Sequence, residues 1–325
     1  MNLFVCRSIR SVEKDLVVRH KDEIVARYGP WTAHDIDLGH GVRTLGFDFE
    51  ADKLARIVQI VADLGGAPFE QLRILDLGCL EGGYAVEFAR RGAEVVAVEG
   101  RRANLEKARF AKEVLGRDRL ELVLADVREV DVARFGRFDV VLCLGLLYHL
   151  DAPDCFELVH RMAELSTRLV VIDTYVGTGA LRPFEHRGRT YWGRPIREHE
   201  PDASPEERLA DLWASLDNPR SLWLAPGSLL NLLADAGFSS AFRCELPFEP
   251  DKPADRLTLV AIRGTRQALL AMPEASAALA QVRLPPLDRR RPSRKQRLSF
   301  ILAERATRLV PKPIRRFAKR LLGRA

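Results

Sequence analysis

An alternation of short apolar runs with amphipathic segments constrains the fold of this chain more than any other sequence feature. The runs are rich in valine, isoleucine and leucine, which is typical of parallel strands that are buried on both faces. The segments between them carry apolar residues at helical spacing, so the pattern predicts a doubly wound α/β fold with helices on both faces of a sheet. The predicted strands are 73–77, 94–98, 120–124, 138–144 and 169–173, and the predicted helices are 83–91, 102–115, 127–134 and 152–165.

The pattern breaks after the fifth strand, which indicates an insertion in the sheet domain. Residues 175–225 mix tyrosine and tryptophan with arginine, histidine, proline and glycine. A segment of this length inside a compact domain is usually functional, so we interpret it as a lid or a substrate-recognition insertion. A helix near 226–236 and two strands near 239–246 and 257–263 then predict an antiparallel hairpin that closes the sheet.

The two ends of the chain differ in character from this central part. Residues 1–50 predict a short helix followed by an extended, turn-rich cap segment, and apolar residues at helical spacing follow in 51–64. We therefore expect a cap segment 1–50, a sheet domain 51–264 that contains the insertion, and a basic, helical C-terminal tail 265–325.

The tail carries most of the positive charge. Residues 283–325 hold fifteen lysines and arginines against Asp288 and Glu304, so the rest of the chain is mildly acidic although the net charge is +6. Within 293–309 and 312–324 the apolar residues fall on one side of each predicted helix, opposite the cations. This pattern is typical of a helix that lies on an anionic membrane surface. Docking on the chain's own domain and binding to nucleic acid, whose phosphates do not need an apolar stripe, are the alternatives.

Cysteine usage and hydropathy indicate the compartment. The five cysteines are scattered without a CxxC pair, which argues against a disulfide framework or a zinc site, and we expect no metal. The N-terminus lacks the apolar run of a signal peptide, and no stretch approaches 18 apolar residues. We expect a cytoplasmic protein, with the tail holding it peripherally at the inner membrane face.

Small and acidic residues lie where the predicted strands end. Asp76 closes the first strand, and Gly78, Cys79 and Gly82 lead from it into a helix. The glycines let the backbone approach a ligand closely, and Asp76 lies at the carboxyl edge of the sheet, where α/β folds bind ligands. Asp76 can accept a hydrogen bond there from an ammonium group. The ends of the next three strands add the candidate cofactor-binding residues Glu99, Gly100, Asp126, Val127, Leu144 and Gly145.

These strand-end residues have the chemistry of a nucleoside site. Glu99 is placed for a ribose diol, Asp126 can accept from an adenine amino group, and the turn at Gly145 can form a wall for a methionine side chain. An NAD-dependent dehydrogenase shares the acidic residue after the second strand, but the spacing Gly78-Cys79-Leu80-Glu81-Gly82 is not the GxGxxG of such enzymes.

Together these residues resemble the class I S-adenosylmethionine-dependent methyltransferases over about 50–263. The resemblance implies a Rossmann-like, mostly parallel sheet of seven strands, with S-adenosyl-L-methionine as cofactor across the ends of its first half. It also implies methyl transfer to an acceptor.

A tyrosine–histidine pair follows the fourth strand, next to the expected position of the transferred methyl group. His149 can act as a general base on an acceptor hydroxyl, because imidazole titrates near neutral pH; simple packing of His149 against the next helix is the alternative. We predict His149, Tyr148 and His34 as catalytic candidates. The candidate substrate-binding residues, which suit a sugar, a phosphate-bearing group or a nucleotide but equally a solvated lid, are Trp31, Arg182, His186, Tyr191, Trp192 and Arg194.

A second resemblance is to the subgroup named after transfer RNA wobble-uridine (mo5U34) methyltransferases. It rests on residues 31–39, Thr44 and 145–149. The subgroup implies carboxymethyl or methyl transfer to a 5-hydroxyuridine oxygen, with Tyr148 helping to hold the carboxylate of carboxy-S-adenosylmethionine. The chain lacks a match for the subgroup's lysine, and the short segment between the last two strands offers no clear place for its arginine. We therefore expect ordinary S-adenosylmethionine as the donor.

We expect O-methylation of a glycan, a lipid-linked intermediate or another small molecule. Modification of a wobble uridine in transfer RNA is the first alternative, although the acidic body is unfavourable for RNA. A non-catalytic module that retains a cofactor-shaped pocket is the second. The acidic and glycine residues at the strand ends are intact, which argues against a chain that has lost its catalytic activity.

Overall fold

The apolar runs form a seven-stranded sheet in a computed structural model, which describes residues 3–47, 50–247, 249 and 252–264. The strands are β1 Arg73–Leu77, β2 Glu94–Glu99, β3 Leu120–Leu124, β4 Phe138–Leu144, β5 Ser166–Tyr175, β6 Arg182–His186, β7 Arg189–Arg197, β8 Arg220–Leu224, β9 Ser240–Arg243 and β10 Arg256–Ile262. The large sheet has the order β3-β2-β1-β4-β5-β10-β9. Neighbours among β1 to β5 run parallel, and β10 runs antiparallel to both β5 and β9. The predicted fold class and the closing hairpin are confirmed.

Helices cover both faces of this sheet. They are α1 Leu3–Tyr28, α2 Ala51–Leu64, α3 Gly83–Arg90, α4 Arg102–Val114, α5 Val132–Phe135, α6 Asp154–Leu165, α7 Pro205–Ala210 and α8 Pro226–Asp235. Alternate residues of each buried strand point to opposite faces. Ile74 therefore joins the core beneath α2, α3 and α4, whereas its neighbour Leu75 joins the core beneath α6 and α8.

Two helix predictions need correction. The first helix is 26 residues long rather than short, and no proline or glycine interrupts residues 3–28 to end it earlier. The single helix predicted over 127–134 is instead a 3-10 turn at 127–129 followed by α5. Asp126 and Asp131 each cap one of these pieces through a side-chain hydrogen bond, so two N-termini stand where the apolar pattern predicted one.

The insertion after β5 folds as a second sheet rather than as a loop. Its three antiparallel strands have the order β6-β7-β8, and α7 lies between β7 and β8. Hydrogen bonds from Leu222 N to the Leu150 carbonyl and from Gly177 N to the Leu224 carbonyl, both 2.8 Å, attach it to the carboxyl edge of the large sheet. None of the described helices is long and apolar enough to cross a membrane.

Candidate active site

The turn between β1 and α3 has the backbone geometry that its glycines predict. Gly78 and Gly82 have φ angles of +68° and +82°, which side chains of L residues rarely adopt. A Cβ atom at Gly82 would stand 2.7 Å from the Cβ of Ala108 on α4, so only glycine lets the turn pack this closely. A Cβ atom at Gly100, after β2, would likewise stand 2.9 Å from Leu216. These positions form a backbone cradle at the carboxyl edge.

Two buried carboxylates lie beside this cradle. The side chain of Asp76 is 1% exposed, and its Oδ2 has no hydrogen-bond partner among the described residues. Burial, and then the charge of Glu99, raise the pKa of Asp76 to about 7. Burial also raises the pKa of Glu99, which accepts hydrogen bonds from Leu80 N (2.9 Å) and Arg101 N (2.8 Å). An unpaired buried carboxylate is costly unless a cation or a donor joins it, so this site fits the ammonium group of S-adenosylmethionine.

The adenine side of the edge is organised by an arginine. Asp126 accepts hydrogen bonds from the backbone and guanidinium of Arg128, and Arg128 also pairs with Asp154 (3.4 Å) and Asp217 (2.6 Å). Burial raises the pKa of Asp126, but the hydrogen bonds from Arg128 outweigh it and the pKa is lowered. Asp126 is thus ionised and already engaged, and its contact with an adenine amino group stays a prediction. Val127 is buried next to it.

The methionine side of the edge follows β4. Leu144 and Cys79 are buried, and Gly145 has a φ angle of +82°. A Cβ atom at Gly78 would stand 3.1 Å from Leu146, so this leucine faces the glycine turn. Leu144, Gly145 and Leu146 therefore stand across from the β1–α3 turn, as the prediction of a wall on this side requires.

The N-terminal cap segment packs onto the same turn. The Nδ1 atom of His34 accepts a hydrogen bond from Gly83 N at 3.0 Å, so His34 caps the N-terminus of α3. This differs from the role of a general base, because the Nδ1 lone pair is already occupied. Trp31, predicted to bind the acceptor, is 3% exposed and packs against Phe110 in the core. The cap segment thus buries Trp31 against α4, and its contact with an acceptor stays a prediction.

A buried ion pair that the sequence analysis missed holds this cap segment. Glu81 and Lys107 are both fully buried, and their charged atoms lie 3.2 Å apart. Glu81 also accepts hydrogen bonds from the backbone N–H groups of Thr32, Ala33 and His34, at 2.7 to 3.2 Å. Glu81 lies inside the glycine turn, yet its partners are 26 to 49 residues away in sequence. Only the fold reveals the pairing.

The predicted base, His149, belongs to a buried hydrogen-bond network. It lies in the 3-10 turn 147–149 directly after β4, and its Nδ1 lies 3.2 Å from Oε2 of Glu198. Glu198 also accepts hydrogen bonds from Ser221 Oγ (2.5 Å) and Ser215 N (2.9 Å). Burial raises the pKa of Glu198, but these hydrogen bonds and His149 outweigh it, and the pKa is lowered. An ionised Glu198 holds the proton on Nδ1 of His149 and leaves its Nε2 free to accept another.

Aromatic side chains form a wall beside this pair. The rings of Tyr175 and Trp223 stack with centroids 4.8 Å apart, and Tyr148 meets Tyr175 edge-on at 5.0 Å. The indole Nε1 of Trp223 is buried and has no partner among the described residues. Tyr148 contacts His149 at 4.2 Å between ring centroids. We call Tyr148, Tyr175 and Trp223 the aromatic wall.

An arginine also reaches this corner, which corrects the expectation that none would. A Cβ atom built at Gly145 would lie 3.9 Å from a guanidinium nitrogen of Arg256, the first residue of β10. The same Cβ atom would lie 3.8 Å from the hydroxyl oxygen of Tyr148. Asp173 at the end of β5 accepts a hydrogen bond from Arg256 Nε at 2.7 Å. Burial raises the pKa of Asp173, but Arg256, Lys53 and Lys252 outweigh it and lower the pKa to about 2. The antiparallel direction of β10 brings Arg256 to the carboxyl edge.

The candidate substrate-binding residues of the insertion divide into two groups. Arg194 pairs in register with Trp223, beside the aromatic wall. His186 stacks on Phe156 of α6, and the hydroxyl of Tyr191 donates to Asp235 of α8 at 2.7 Å. His186 and Tyr191 therefore lie on the α6–α8 side, away from the cofactor cradle, and their prediction as acceptor ligands is wrong.

Trp192 and Arg182 are two further insertion residues that were predicted to bind the acceptor. Trp192 is 7% exposed, and its backbone N–H donates to Ser228 Oγ, so it packs between the insertion and α8. Its role in binding the acceptor stays a prediction. Arg182 begins β6 opposite Gly193 and is partly exposed. A role for Arg182 in binding the acceptor stays a prediction.

One part of the insertion covers the cofactor cradle. The guanidinium of Arg101 donates hydrogen bonds to the carbonyl oxygens of four residues at 2.8 to 3.2 Å, namely Leu209, Asp211, Ala214 and Ser215. Leu216 then reaches Gly100, and Asp217 reaches Arg128. We call residues 205–217 the cover segment. It closes the edge of the sheet over the ends of β2 and β3.

No group of three or more histidine, cysteine, aspartate or glutamate side chains within the described ranges could hold a metal ion. The chemistry of the site is that of acid–base groups and aromatic faces around a backbone cradle.

Comparison with known proteins agrees with this arrangement. Residues 74–167 match the family model described as "Methyltransferase domain". A ubiquinone biosynthesis O-methyltransferase of Alkalilimnicola ehrlichii is 39% identical over 115 residues, which are 34% of this chain and 42% of that protein. The O-antigen chain terminator bifunctional methyltransferase/kinase WbdD of Escherichia coli is 26% identical over 146 residues, 43% of this chain and 19% of that protein. The chain thus matches less than half the length of these two relatives.

The similarity to a solved structure extends over most of the chain. The N-terminal domain of EvdMO1, crystallised in the presence of SAH and D-fucose, superposes with a TM-score of 0.59 at 27% sequence identity. It covers 81% of this chain and 98% of that domain. A second structure of this domain with SAH bound gives a TM-score of 0.60. The chain therefore carries a class I S-adenosylmethionine-dependent methyltransferase domain, related to O-methyltransferases.

Proposed function

We propose that this protein methylates a hydroxyl group of a sugar, free or within a glycan, or of a related small molecule. The observation that carries the proposal is the pairing of His149 with Glu198 beside the aromatic wall, at the edge of the sheet that carries the cofactor cradle. An acceptor hydroxyl needs both a base and a surface that fixes its orientation, and both are present at this corner.

The chain's own residues account for binding the donor. Asp76 and Glu99 would hold the ammonium and the ribose of S-adenosylmethionine, beside the glycine turn at Gly78 and Gly82. When bound, S-adenosylmethionine supplies a methyl group on a positively charged sulfur, ready for in-line displacement. The cover segment, held by Arg101, would exclude water from this edge.

His149 would remove the proton of the acceptor. Its Nδ1–H donates to Glu198, so Nε2 accepts the hydroxyl proton as the acceptor oxygen forms its bond to the methyl carbon. The imidazolium that results is stabilised by the ionised Glu198 at 3.2 Å. Glu198 thereby acts through His149 as a positioning residue. The donor leaves as neutral S-adenosylhomocysteine, so charge is conserved.

The aromatic wall supports a sugar as the acceptor. The apolar face of a sugar ring packs well on stacked aromatic side chains, and the buried Nε1–H of Trp223 needs an acceptor such as a sugar oxygen. The guanidinium of Arg256, already neutralised by Asp173, is suited to donate to neutral oxygens. Of the proteins above, one is named an O-antigen chain terminator, and another was crystallised in the presence of D-fucose.

The alternatives have less support. One of the two reported relatives is an O-methyltransferase by name and the other a bifunctional methyltransferase/kinase, and neither name supports the resemblance to wobble-uridine enzymes. A non-catalytic module does not need a histidine held by a buried glutamate. We further propose a cytoplasmic location with peripheral contact to the inner membrane face, which rests on the sequence of 293–324 alone.

Transfer of labelled methyl groups tests the proposal. The purified protein and S-[methyl-³H]adenosylmethionine are added to a lysate, which is then separated into lipid, glycan, RNA and small-molecule fractions. We expect label in the glycan or sugar-containing fraction, and none with the matched variant Glu99→Ala, which weakens donor binding. Label recovered only in RNA would contradict a sugar acceptor and restore the wobble-uridine reading.

A further inference from the structure

A second cavity lies at the opposite end of the sheet from the cofactor cradle. Its volume is about 480 Å³, and Arg137 and Arg263 line it together with residues of α6, α8 and the β6–β7 turn. Arg137 directly precedes β4, and Arg263 directly follows the antiparallel β10, so both stand at the amino ends of the parallel strands. The length of β4 separates this cavity from Gly145 by about 20 Å.

Positive charge exceeds negative charge in this cavity. Four arginines line it, at positions 137, 187, 189 and 263, against Glu164 and Asp235. Arg189 pairs with Asp235 at 3.1 Å, and Arg187 pairs at 2.7 Å with Glu157, which lies just outside the lining. No ion pair joins Arg137 or Arg263 to a carboxylate within the described part of the chain. Arg263 donates one hydrogen bond to the Gly237 carbonyl at 3.2 Å and keeps its other donors, so both guanidinium groups can still donate to an anion.

A histidine in the wall also lacks a partner. His160 of α6 lines the cavity, and its Nε2 is buried without a hydrogen bond to any described residue. Its ring lies 5.5 Å from that of His186. Burial lowers the pKa of His160, and the charge of Arg187 lowers it further, so the ring is held neutral with one N–H to donate. A buried polar atom without a partner points to a group that the protein binds there.

We propose that this cavity binds a phosphate group, through Arg137, Arg263 and the pair Arg187 and Arg189. Guanidinium groups match phosphate oxygens in geometry and charge. The volume exceeds what one phosphate fills, so the ligand carries a larger body attached to the phosphate. Tyr191, one of the residues predicted to bind an acceptor, lines this cavity rather than the cofactor cradle, and His186 lies behind the lining residue His160.

Two sources can supply such a phosphate. One is a soluble phosphorylated metabolite. The other is the headgroup of an anionic lipid, because Arg263 is followed at once by Gly264 and then by the basic tail in the sequence. The two sources share the same chemistry at the arginines.

Calorimetry of the full chain with inorganic pyrophosphate tests the shared chemistry. We expect binding, and we expect Arg137→Ala and Arg189→Ala each to weaken it about tenfold, as loss of a charged hydrogen-bond donor does. The side chain of Arg137 makes no hydrogen bond or ion pair within the described residues, and its backbone carbonyl, which accepts from Arg73, is kept in the variant, so its replacement should leave the fold intact. Arg109→Ala is the matched control, since Arg109 is an exposed arginine of α4 with an acidic partner. The control should change the affinity less than twofold.

Vesicles then separate the two sources. The full chain with Phe317→Ser and Leu321→Ser, which removes the apolar stripe expected to hold the tail on vesicles, is sedimented with vesicles of phosphatidylcholine containing phosphatidic acid, and with phosphatidylcholine alone. Loss of sedimentation in Arg137→Glu, with pyrophosphate binding also lost, supports a lipid headgroup. Unchanged sedimentation with pyrophosphate binding lost supports a soluble phosphate. Absence of pyrophosphate binding up to about 10 mM, or equal binding by the cavity variants and the control, overturns the proposal.

Discussion

Asp76 is the residue on which donor binding is expected to depend most. It is buried, its Oδ2 is unpartnered, and Glu99 adds a second negative charge nearby. The pKa of its carboxyl is about 7 in the fold, against 3.8 ordinarily. A carboxyl whose pKa is raised stabilises the folded protein below pH 4, and this contribution is lost as the pH rises through 7. At neutral pH the ionised, buried carboxylate of Asp76 therefore destabilises the ligand-free folded protein, and a cationic ligand relieves this destabilisation.

This cost predicts a pH-dependent affinity for S-adenosylmethionine. An ammonium group binds the ionised carboxylate, so affinity should rise roughly eightfold between pH 6 and 7.5, opposite in sign to the stability of the free protein. Calorimetric titration at several pH values measures it. Asp76→Asn should bind weakly with a flat pH profile. A flat profile in the unaltered protein would show that Asp76 does not hold the ammonium.

Glu198 is expected to affect catalysis through His149, without contacting the acceptor itself. In Glu198→Gln the partner of His149 keeps its shape and loses its charge, so kcat should fall about tenfold or more while KM for the donor stays constant. Loss of the negative charge beside the imidazole should also move the acidic limb of the kcat/KM profile to lower pH. Glu200→Gln is the matched control two residues away. A reduced kcat with an unmoved pH profile would assign Glu198 a structural role only.

Position along the chain decided which of these residues could be predicted. Asp76, Glu99 and His149 each end or follow a strand, and parallel strands bring their carboxyl ends to one edge, so sequence alone brings them together. Glu198 lies 49 residues from His149, inside an insertion whose fold has no simple periodicity. Nothing in its sequence surroundings distinguishes it from a solvated glutamate.

The cover segment is the element most directly tied to cofactor exchange. Arg101 holds it by hydrogen bonds to four of its carbonyl oxygens, and α7 begins within it with a capping box at Ser204 and Glu207. The segment lies over the ends of β2 and β3 through the contacts of Leu216 with Gly100 and of Asp217 with Arg128. Release of the segment should therefore affect binding and product release more than chemistry.

Arg101→Ala tests the role of this element. We expect KM for S-adenosylmethionine to rise about tenfold and limited proteolysis within 205–217 to quicken, because several charged hydrogen bonds are lost. Arg102→Ala is the control, since Arg102 is the exposed neighbour with the same charge. Equal KM values for the two variants would mean that the cover segment does not close over the cofactor.

The helices and strands differed in how well they could be predicted from the sequence. The five parallel strands fell within a few residues of the apolar runs, because strands buried on both faces have an unmistakable composition. The insertion sheet was missed because β6 and β7 contain proline, glycine and several arginines, which blur the alternation of strand residues. The helix over 127–134 was misread because two aspartate caps divide it.

At the scale of the whole molecule, the sheet domain and the basic tail should be separable. β10 completes the large sheet at Ile262, and the predicted tail, with its amphipathic segments 293–309 and 312–324, lies outside the described residues. A chain ending at Gly264 should stay folded and bind S-adenosylhomocysteine within about twofold of the full chain. Thermal melting and calorimetry check this. Aggregation or loss of cofactor binding would make the tail part of the fold.

The same comparison tests the membrane prediction for the tail. The full chain should sediment with anionic vesicles, and high salt should weaken this without abolishing it, because the apolar stripe inserts. Replacing Phe317 and Leu321 by serine should release the protein while every cation stays in place. If the serine variant still sediments, but a variant with the tail cations changed to acidic residues does not, the result would favour nucleic acid or purely electrostatic partners.

The single-turnover rate of methyl transfer in His149→Ala tests the account most directly. The rate is measured at saturating S-adenosylmethionine with the fraction or sugar that takes up the label, beside a titration of S-adenosylhomocysteine. If His149 is the general base, we expect a rate about 10² to 10⁴ times lower than that of the unaltered protein, with the affinity for S-adenosylhomocysteine nearly unchanged. A decrease of less than threefold would contradict it and reduce His149 and Glu198 to packing groups beside a site whose base lies elsewhere.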